Sequence, residues 1–294
     1  MEHKTKQNKI IIVWNVTYGC NLNCSECFQL DDKKKHPPRQ VIDKIIDEIE
    51  SRFKDTCLVK ITGGEVFSIP NFIKLITPKI ALESTFPITI TSNFTFPLSN
   101  YCQFIKLINH RLNRISFSWH HQYIPAEAFM RKIKVVRKFM NEMGLEKTPI
   151  KINLILIPHN FKYLKLFKSK LGNYKNILLH FQLFRIGKYG RKFYQYSDRE
   201  LKVMSSLIAD RSPLGFNNKR HYQGKLCRAG LNYFVVNPDG GVFTCHEAYE
   251  IGRNGANSLG NLVEGSFSPL IKAEYCPFDY CTVPEVALRH IVDR

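Results

Sequence analysis

Six short apolar runs rich in β-branched residues recur at 10–17, 57–62, 88–92, 114–120, 150–158 and 177–184, and helical patterns lie between them. Behind His36-Pro37-Pro38, the residues Ile42, Ile45, Ile46 and Ile49 make an i, i+3, i+4, i+7 stripe. Phe129, Ile133, Val136, Met140 and Met143 make another, which stops at Gly144. A helix near 161–171 ends at Gly172, and the last starts at Ser197 or Asp198, both good N-caps. Successive β-α units with right-handed crossovers form a parallel sheet with helices outside. The pattern predicts an α/β fold, either an open doubly wound sheet or a partial (β/α)6 barrel, with function at the C-terminal strand ends.

The alternation fades after about residue 210, so the chain reads as a core over 1–210 and a smaller loop-rich domain over 211–294. In the second part, Asp239-Gly240-Gly241 between two apolar runs predicts a β-hairpin. No apolar run approaches the roughly 20 residues of a membrane span. Residues 10–14 are too short for a signal-peptide core, which makes the cytoplasm the expected location. Nine cysteines in such a chain favour metal or redox chemistry over a disulfide framework.

The cysteines fall in two sets. Cys20, Cys24 and Cys27 follow the first predicted strand, where a barrel collects its chemistry. Cys227, Cys245, Cys276 and Cys281 lie in and around the hairpin. Cys57 and Cys102 stand alone and read as small buried hydrophobes. Fe–S clusters are normally held by four thiolates, so a cubane held by three leaves one iron open. Three thiolates also suit zinc completed by histidine or water, and four suit a structural zinc.

Beyond the spacing, the Cys-x3-Cys-x2-Cys pattern with Phe28 directly after it resembles the radical S-adenosylmethionine (SAM) family. Thr62-Gly63-Gly64-Glu65 ends the second predicted strand, like the family's Gly-Gly-Glu motif. Thr91-Ser92-Asn93 ends the third, where the family places ribose contacts. The resemblance covers residues 9 to about 210 and implies a partial (β/α)6 barrel. It implies that Cys20, Cys24 and Cys27 hold a 4Fe-4S cluster whose open iron chelates SAM. It also implies that Phe28 packs on the adenine, that Gly63 and Gly64 admit the ligand and that Glu65 meets the methionine ammonium. Cys227, Cys245, Cys276 and Cys281 resemble a twitch or SPASM extension, which holds an auxiliary 4Fe-4S cluster. The four residues between Cys276 and Cys281 depart from the commoner two.

Strand alternation adds candidates independently. Ser116, Ser118 and His120 share one face of the fourth predicted strand, Lys151 and Asn153 one face of the fifth, and His180 and Gln182 one face of the sixth. Polar side chains facing a barrel interior are costly without partners, which points to Ser118, Asn153 and Gln182 as SAM or substrate contacts. His120, His121 and Arg185 stand at strand ends as catalytic candidates, with a structural hydrogen bond the stronger expectation for each histidine.

The formal charge is +18, and 161–225 alone carries fifteen Lys or Arg against three Asp or Glu. Tyr174, Tyr189, Phe193, Tyr194 and Tyr196 are interleaved with them. This suits an anionic substrate such as an acidic peptide or a phosphorylated or nucleotide-linked metabolite, or else a solvated face. A radical SAM enzyme would also need an electron donor such as flavodoxin or ferredoxin. The competing expectation is a non-enzymatic nucleic-acid-binding protein with two zinc sites.

Overall fold

The computed structural model describes residues 10–25, 27, 35–186, 192–208, 222–251, 258–278, 281, 291 and 292. Strands β1 (Ile10–Thr17), β2 (Cys57–Gly63), β3 (Ile88–Ser92), β4 (Leu112–Ser118), β5 (Ile150–Ile155) and β6 (Ile177–Gln182) are parallel and pair in chain order. Helices α1 (Arg39–Phe53), α2 (Thr77–Glu83), α3 (Leu98–Ile108), α4 (Ala126–Glu142) and α5 (Phe161–Leu171) link them, and α6 (Asp198–Leu207) follows β6. The α/β arrangement expected from the sequence is therefore observed. Ser197 caps α6 through a capping box with Glu200.

The elements form where burial dictates. Ile42, Ile45, Ile46 and Ile49 of α1 are buried, as are Phe129, Ile133, Val136 and Met140 of α4. They pack on Ile12, Trp14, Val59, Ile61, Ile88, Ile90, Ile115, Phe117 and Ile152 on the helix-facing side of the sheet. Cys57 is fully buried in this core, whereas Cys102 on α3 is only partly covered.

Four strands differ in their bounds from the sequence reading. β2 runs one residue further, to Gly63, and β6 stops at Gln182 rather than 184. β4 covers Leu112–Ser118 rather than 114–120, because Leu112 is buried and pairs with Ile88 while the chain turns at His120, whose carbonyl accepts from Tyr123 and Ile124. Trp119 buries its indole, donating Nε1–H to the Ile124 carbonyl at 2.8 Å. β5 ends at Ile155, short of 158, since Pro158 opens a 3-10 turn.

Further along lie a two-residue ribbon, β7 (Arg185–Ile186) with β8 (Lys192–Phe193), then β9 (Leu226–Cys227), β10 (Tyr233–Val236) and β11 (Gly241–Phe243). The short helix His246–Ile251, β12 (Ser258–Asn261), β13 (Glu274–Tyr275) and β14 (Ile291–Val292) complete the order. The expected hairpin is present as β10 and β11, with Gly240 at φ 89° in its turn.

The hairpin also extends the main sheet, which runs β12-β11-β10-β1-β2-β3-β4-β5-β6. β10 is parallel to β1, with Ile11 opposite Tyr233 and Trp14 opposite Val236. On the inner face, Ile11 and Val13 join Tyr233 and Val235 in a second apolar cluster. β1 is thus covered on both faces, the physical reason it reads as an unbroken apolar run.

The basic stretch is only partly described, since residues 187–191 and 209–221 lie outside the described set, Tyr189 among them. Within it, Tyr196 is buried, donates its hydroxyl to the Leu156 carbonyl at 3.0 Å and accepts from the Phe184 amide at 2.8 Å. The Tyr194 ring stands 5.0 Å from that of Tyr196. Tyr196 is therefore withdrawn from any stacking surface, while Tyr174 remains exposed. Among the described residues no helix is long and apolar enough to cross a membrane.

Candidate active site

The cysteine loop leaves β1 at Thr17, whose hydroxyl accepts from the Gly19 amide at 2.9 Å and contacts His36 Nδ1 at 2.9 Å. The end of β2 docks directly onto this turn. Gly64 donates its amide to the Thr17 carbonyl and Glu65 donates its amide to the Gly19 carbonyl, both at 2.8 Å. A Cβ on Gly64 would run into the carbonyl oxygens of Tyr18 and Gly19, and one on Gly63 (φ 139°) into that of Thr17. The two glycines thus admit the backbone that carries the cysteines.

Glu65 is fully buried behind that contact. Its Oε1 accepts from the Phe67 amide at 3.1 Å and the Ser92 hydroxyl at 2.8 Å, and its Oε2 from the Asn93 amide at 2.6 Å. Burial pushes its carboxyl up to about 7, while the hydrogen bonds from Asn93, Phe67 and Ser92 pull the other way. Ser92 Oγ also accepts from the Phe94 amide and meets the Tyr101 hydroxyl. Asn93 turns its side chain to the cysteine loop, donating Nδ2–H to Asn21 Oδ1 at 2.9 Å. One network therefore joins the ends of β1, β2 and β3.

The loop after β4 braces the cysteine loop from another side. His120 Nδ1 lies 3.3 Å from Cys24 Sγ. The Tyr123 hydroxyl accepts from the Asn23 amide at 3.0 Å, and Gln122 donates to the Ser25 hydroxyl at 2.6 Å. His121 points elsewhere, pairing Nε2 to Nε2 with His159 at 3.3 Å. That pair lines a cleft of about 360 Å³ at the starts of α4 and α5. Deeper in, Asn153 donates to Ser118 Oγ at 3.2 Å and its Oδ1 meets His180 Nδ1 at 3.3 Å, linking β4, β5 and β6. Gln182 is exposed at the end of β6. Phe28 lies outside the described residues.

The late cysteines come together across the small sheet. Cys227 on β9 lies opposite Glu274 of β13, and the Cys276 amide donates to the Lys225 carbonyl at 2.8 Å. Burial pushes the Cys245 thiol up to about 12, and charge on Cys281 or Cys227 would push in the same direction. Burial likewise raises Cys227, with charge on Cys276 adding to it. Burial opposes ionisation of Cys227, Cys245 and Cys276, and a cationic centre beside them would offset that by stabilising the thiolates. Among the described residues no three His, Cys, Asp or Glu already converge as a single metal ion would require.

Alternation applied to β2 would have added Lys60, opposite the buried Ile61. Its charge, with that of Arg185, acts after burial to pull His246 down to about 4. Arg185 thus sits near His246.

No known family's sequence profile matches the chain, and no curated protein matches it. Solved structures do. The structure of anSMEcpe with bound AdoMet superposes with a TM-score of 0.52 at 17% identity, over 86% of this chain and 74% of that one. Its complex with AdoMet and the Cp18Cys peptide gives 0.53 at 15% identity, over 86% and 77%. Streptococcus suis SuiB bound to S-adenosylmethionine gives 0.57 at 17%, over 87% of this chain and 64% of its own. This chain has the radical SAM fold. In that fold, Cys20, Cys24 and Cys27 leave the end of the first barrel strand, and Glu65 and Asn93 leave the next two.

Proposed function

We propose that this radical SAM-fold chain is a radical SAM enzyme with an auxiliary cluster. The observation that carries the reading is the placement of Cys20, Cys24 and Cys27 on the loop after β1, pinned by Gly64, Glu65 and His120, in a fold shared with AdoMet-bound proteins. The donor set fits a 4Fe-4S cluster with one open iron. Held by those residues, such a cluster would supply the electron for reductive cleavage of the sulfonium S–C5′ bond of SAM, and so the radical that abstracts hydrogen from a substrate.

The protein's own groups bind and orient. Gly63 and Gly64 let the cysteine loop seat against β2. Glu65, poised at about 7, is a carboxylate that an ammonium group would hold ionised. Ser92 and Asn93 fix that carboxylate, and Ser118, Asn153 and Gln182 furnish polar contacts along β4 to β6 for SAM or substrate. Phe28 serves as the adenine contact. Cys227, Cys245, Cys276 and Cys281 would hold the second 4Fe-4S cluster, which would supply an electron relay rather than a substrate site.

A peptide or protein is one substrate class, supported by the peptide bound to anSMEcpe. A sugar or nucleotide-linked metabolite is the other, and the basic 161–225 stretch favours anionic forms of either. A reduced flavodoxin or ferredoxin supplies electrons. Anaerobic reconstitution should give a brown protein with about eight irons, four per cluster. A colourless protein holding zinc alone would favour the two-zinc nucleic-acid-binding reading instead.

A further inference from the structure

We propose that His120 is a positioning residue that donates an Nδ1–H hydrogen bond to the Cys24 thiolate and so raises the reduction potential of the cluster on the triplet. The inference rests on the cluster reading above. Its starting point is the 3.3 Å separation of His120 Nδ1 and Cys24 Sγ, between residues 96 positions apart in the chain.

The imidazole is aimed by a rigid turn. Trp119, one residue before it, donates its amide to the Asn153 carbonyl at 3.1 Å and its indole N–H to Ile124 at 2.8 Å. The Trp119 ring packs against Phe167 and Tyr163 with centroids 5.0 and 5.7 Å away. The His120 carbonyl accepts from the amides of both Tyr123 and Ile124, at 3.0 and 3.1 Å. From this turn, Tyr123 holds Asn23 and Gln122 holds Ser25, so three consecutive residues of the cysteine loop, 23 to 25, meet one short segment. The two flanking contacts fix where Cys24 sits; the central one reaches the sulfur itself.

A thiolate bound to iron only accepts hydrogen bonds, which places the proton on Nδ1. Reduction adds negative charge that spreads onto the ligand sulfurs, so an N–H aimed at one of them stabilises the reduced state more than the oxidised one. Hydrogen bonds to sulfur are among the levers that set cluster potentials. Cys20 receives a comparable contact from the Leu22 amide at 3.4 Å, which no side-chain substitution removes. Among the described residues, side chains reach a triplet sulfur from His120 and from Asn93, and the His120 contact is shorter than the 3.9 Å from Asn93 Nδ2 to Cys20 Sγ.

The test is a redox titration of the reconstituted holoprotein followed by low-temperature EPR. The spectrum of the variant with alanine at positions 20, 24 and 27 is subtracted to remove the late cluster. His120→Leu should keep the iron content while the reduced-to-oxidised ratio at fixed potential falls about tenfold, which is a midpoint about 59 mV lower for one electron. His120→Asn, whose amide N–H can take the place of Nδ1–H, should restore most of that ratio. An unchanged ratio in the leucine variant overturns the inference. So does loss of iron from both variants, or a leucine-like ratio in the asparagine variant, since each makes the contact merely structural. Wild-type protein that binds no iron at the triplet overturns the cluster reading itself.

Discussion

The variant with alanine at Cys20, Cys24 and Cys27 is expected to form no 5′-deoxyadenosine from SAM under dithionite, while retaining about four irons, those of the late site. The loss should be complete because the triplet would be the whole protein-derived ligand set for the proposed cluster. The fold should survive it. Cys20 and Cys24 are half-buried and Cys27 is exposed, so none of the thiols is a core group, and exposed truncations cost about 0.5 kcal/mol or less. Product chromatography and iron analysis read the two halves of this expectation separately. Persistent 5′-deoxyadenosine in the triple variant would refute the assignment of the triplet.

Glu65→Gln should have the second-largest effect, on both stability and SAM binding. All three partners of the carboxylate, the Phe67 and Asn93 amides and the Ser92 hydroxyl, are donors. A glutamine amide nitrogen facing any of these N–H groups leaves a buried donor without an acceptor, at a cost of about 1–3 kcal/mol. The pH dependence has a definite sign. The folded-state pKa of about 7 lies above the reference 4.5, so the folded state binds more protons between those values. Stability from this group therefore falls as pH rises from about 4.5 to about 7, by up to about 3 kcal/mol, and is level on either side. Denaturant unfolding of the cofactor-free protein across pH 4 to 8 should show the wild type losing stability relative to the glutamine variant in that window. A constant difference across the window would contradict the buried, raised carboxyl.

The barrel strands were legible because their signal is local. An apolar β-branched run between helical stripes is visible within ten residues, and β1 and β3 have the bounds read from it. Short-range signals also marked the Ser197 cap and the Asp239-Gly240-Gly241 turn. What stayed hidden depends on pairs far apart in the chain. The pairing of β10 with β1 joins residues more than 200 positions apart, and its trace in the sequence is only the lack of alternation in β1. That Glu65 is buried and bonded to the end of β3 was likewise not legible, since its partners Ser92 and Asn93 lie 27 and 28 positions away. His120 and His121 looked equivalent at a strand end. The turn after Trp119 sends one to Cys24 and the other to His159. Tyr194 and Tyr196 looked like part of a basic, aromatic surface. Tyr196 is core, because its hydroxyl bridges the Leu156 carbonyl and the Phe184 amide.

The central claim is that this chain cleaves SAM reductively at Cys20, Cys24 and Cys27. The most direct measurement is chromatography of the products after anaerobically reconstituted wild-type protein is mixed with SAM and dithionite. The account predicts 5′-deoxyadenosine and methionine in equal amounts, with none formed when dithionite is omitted. Protein that carries its full iron complement and still leaves SAM intact would contradict it.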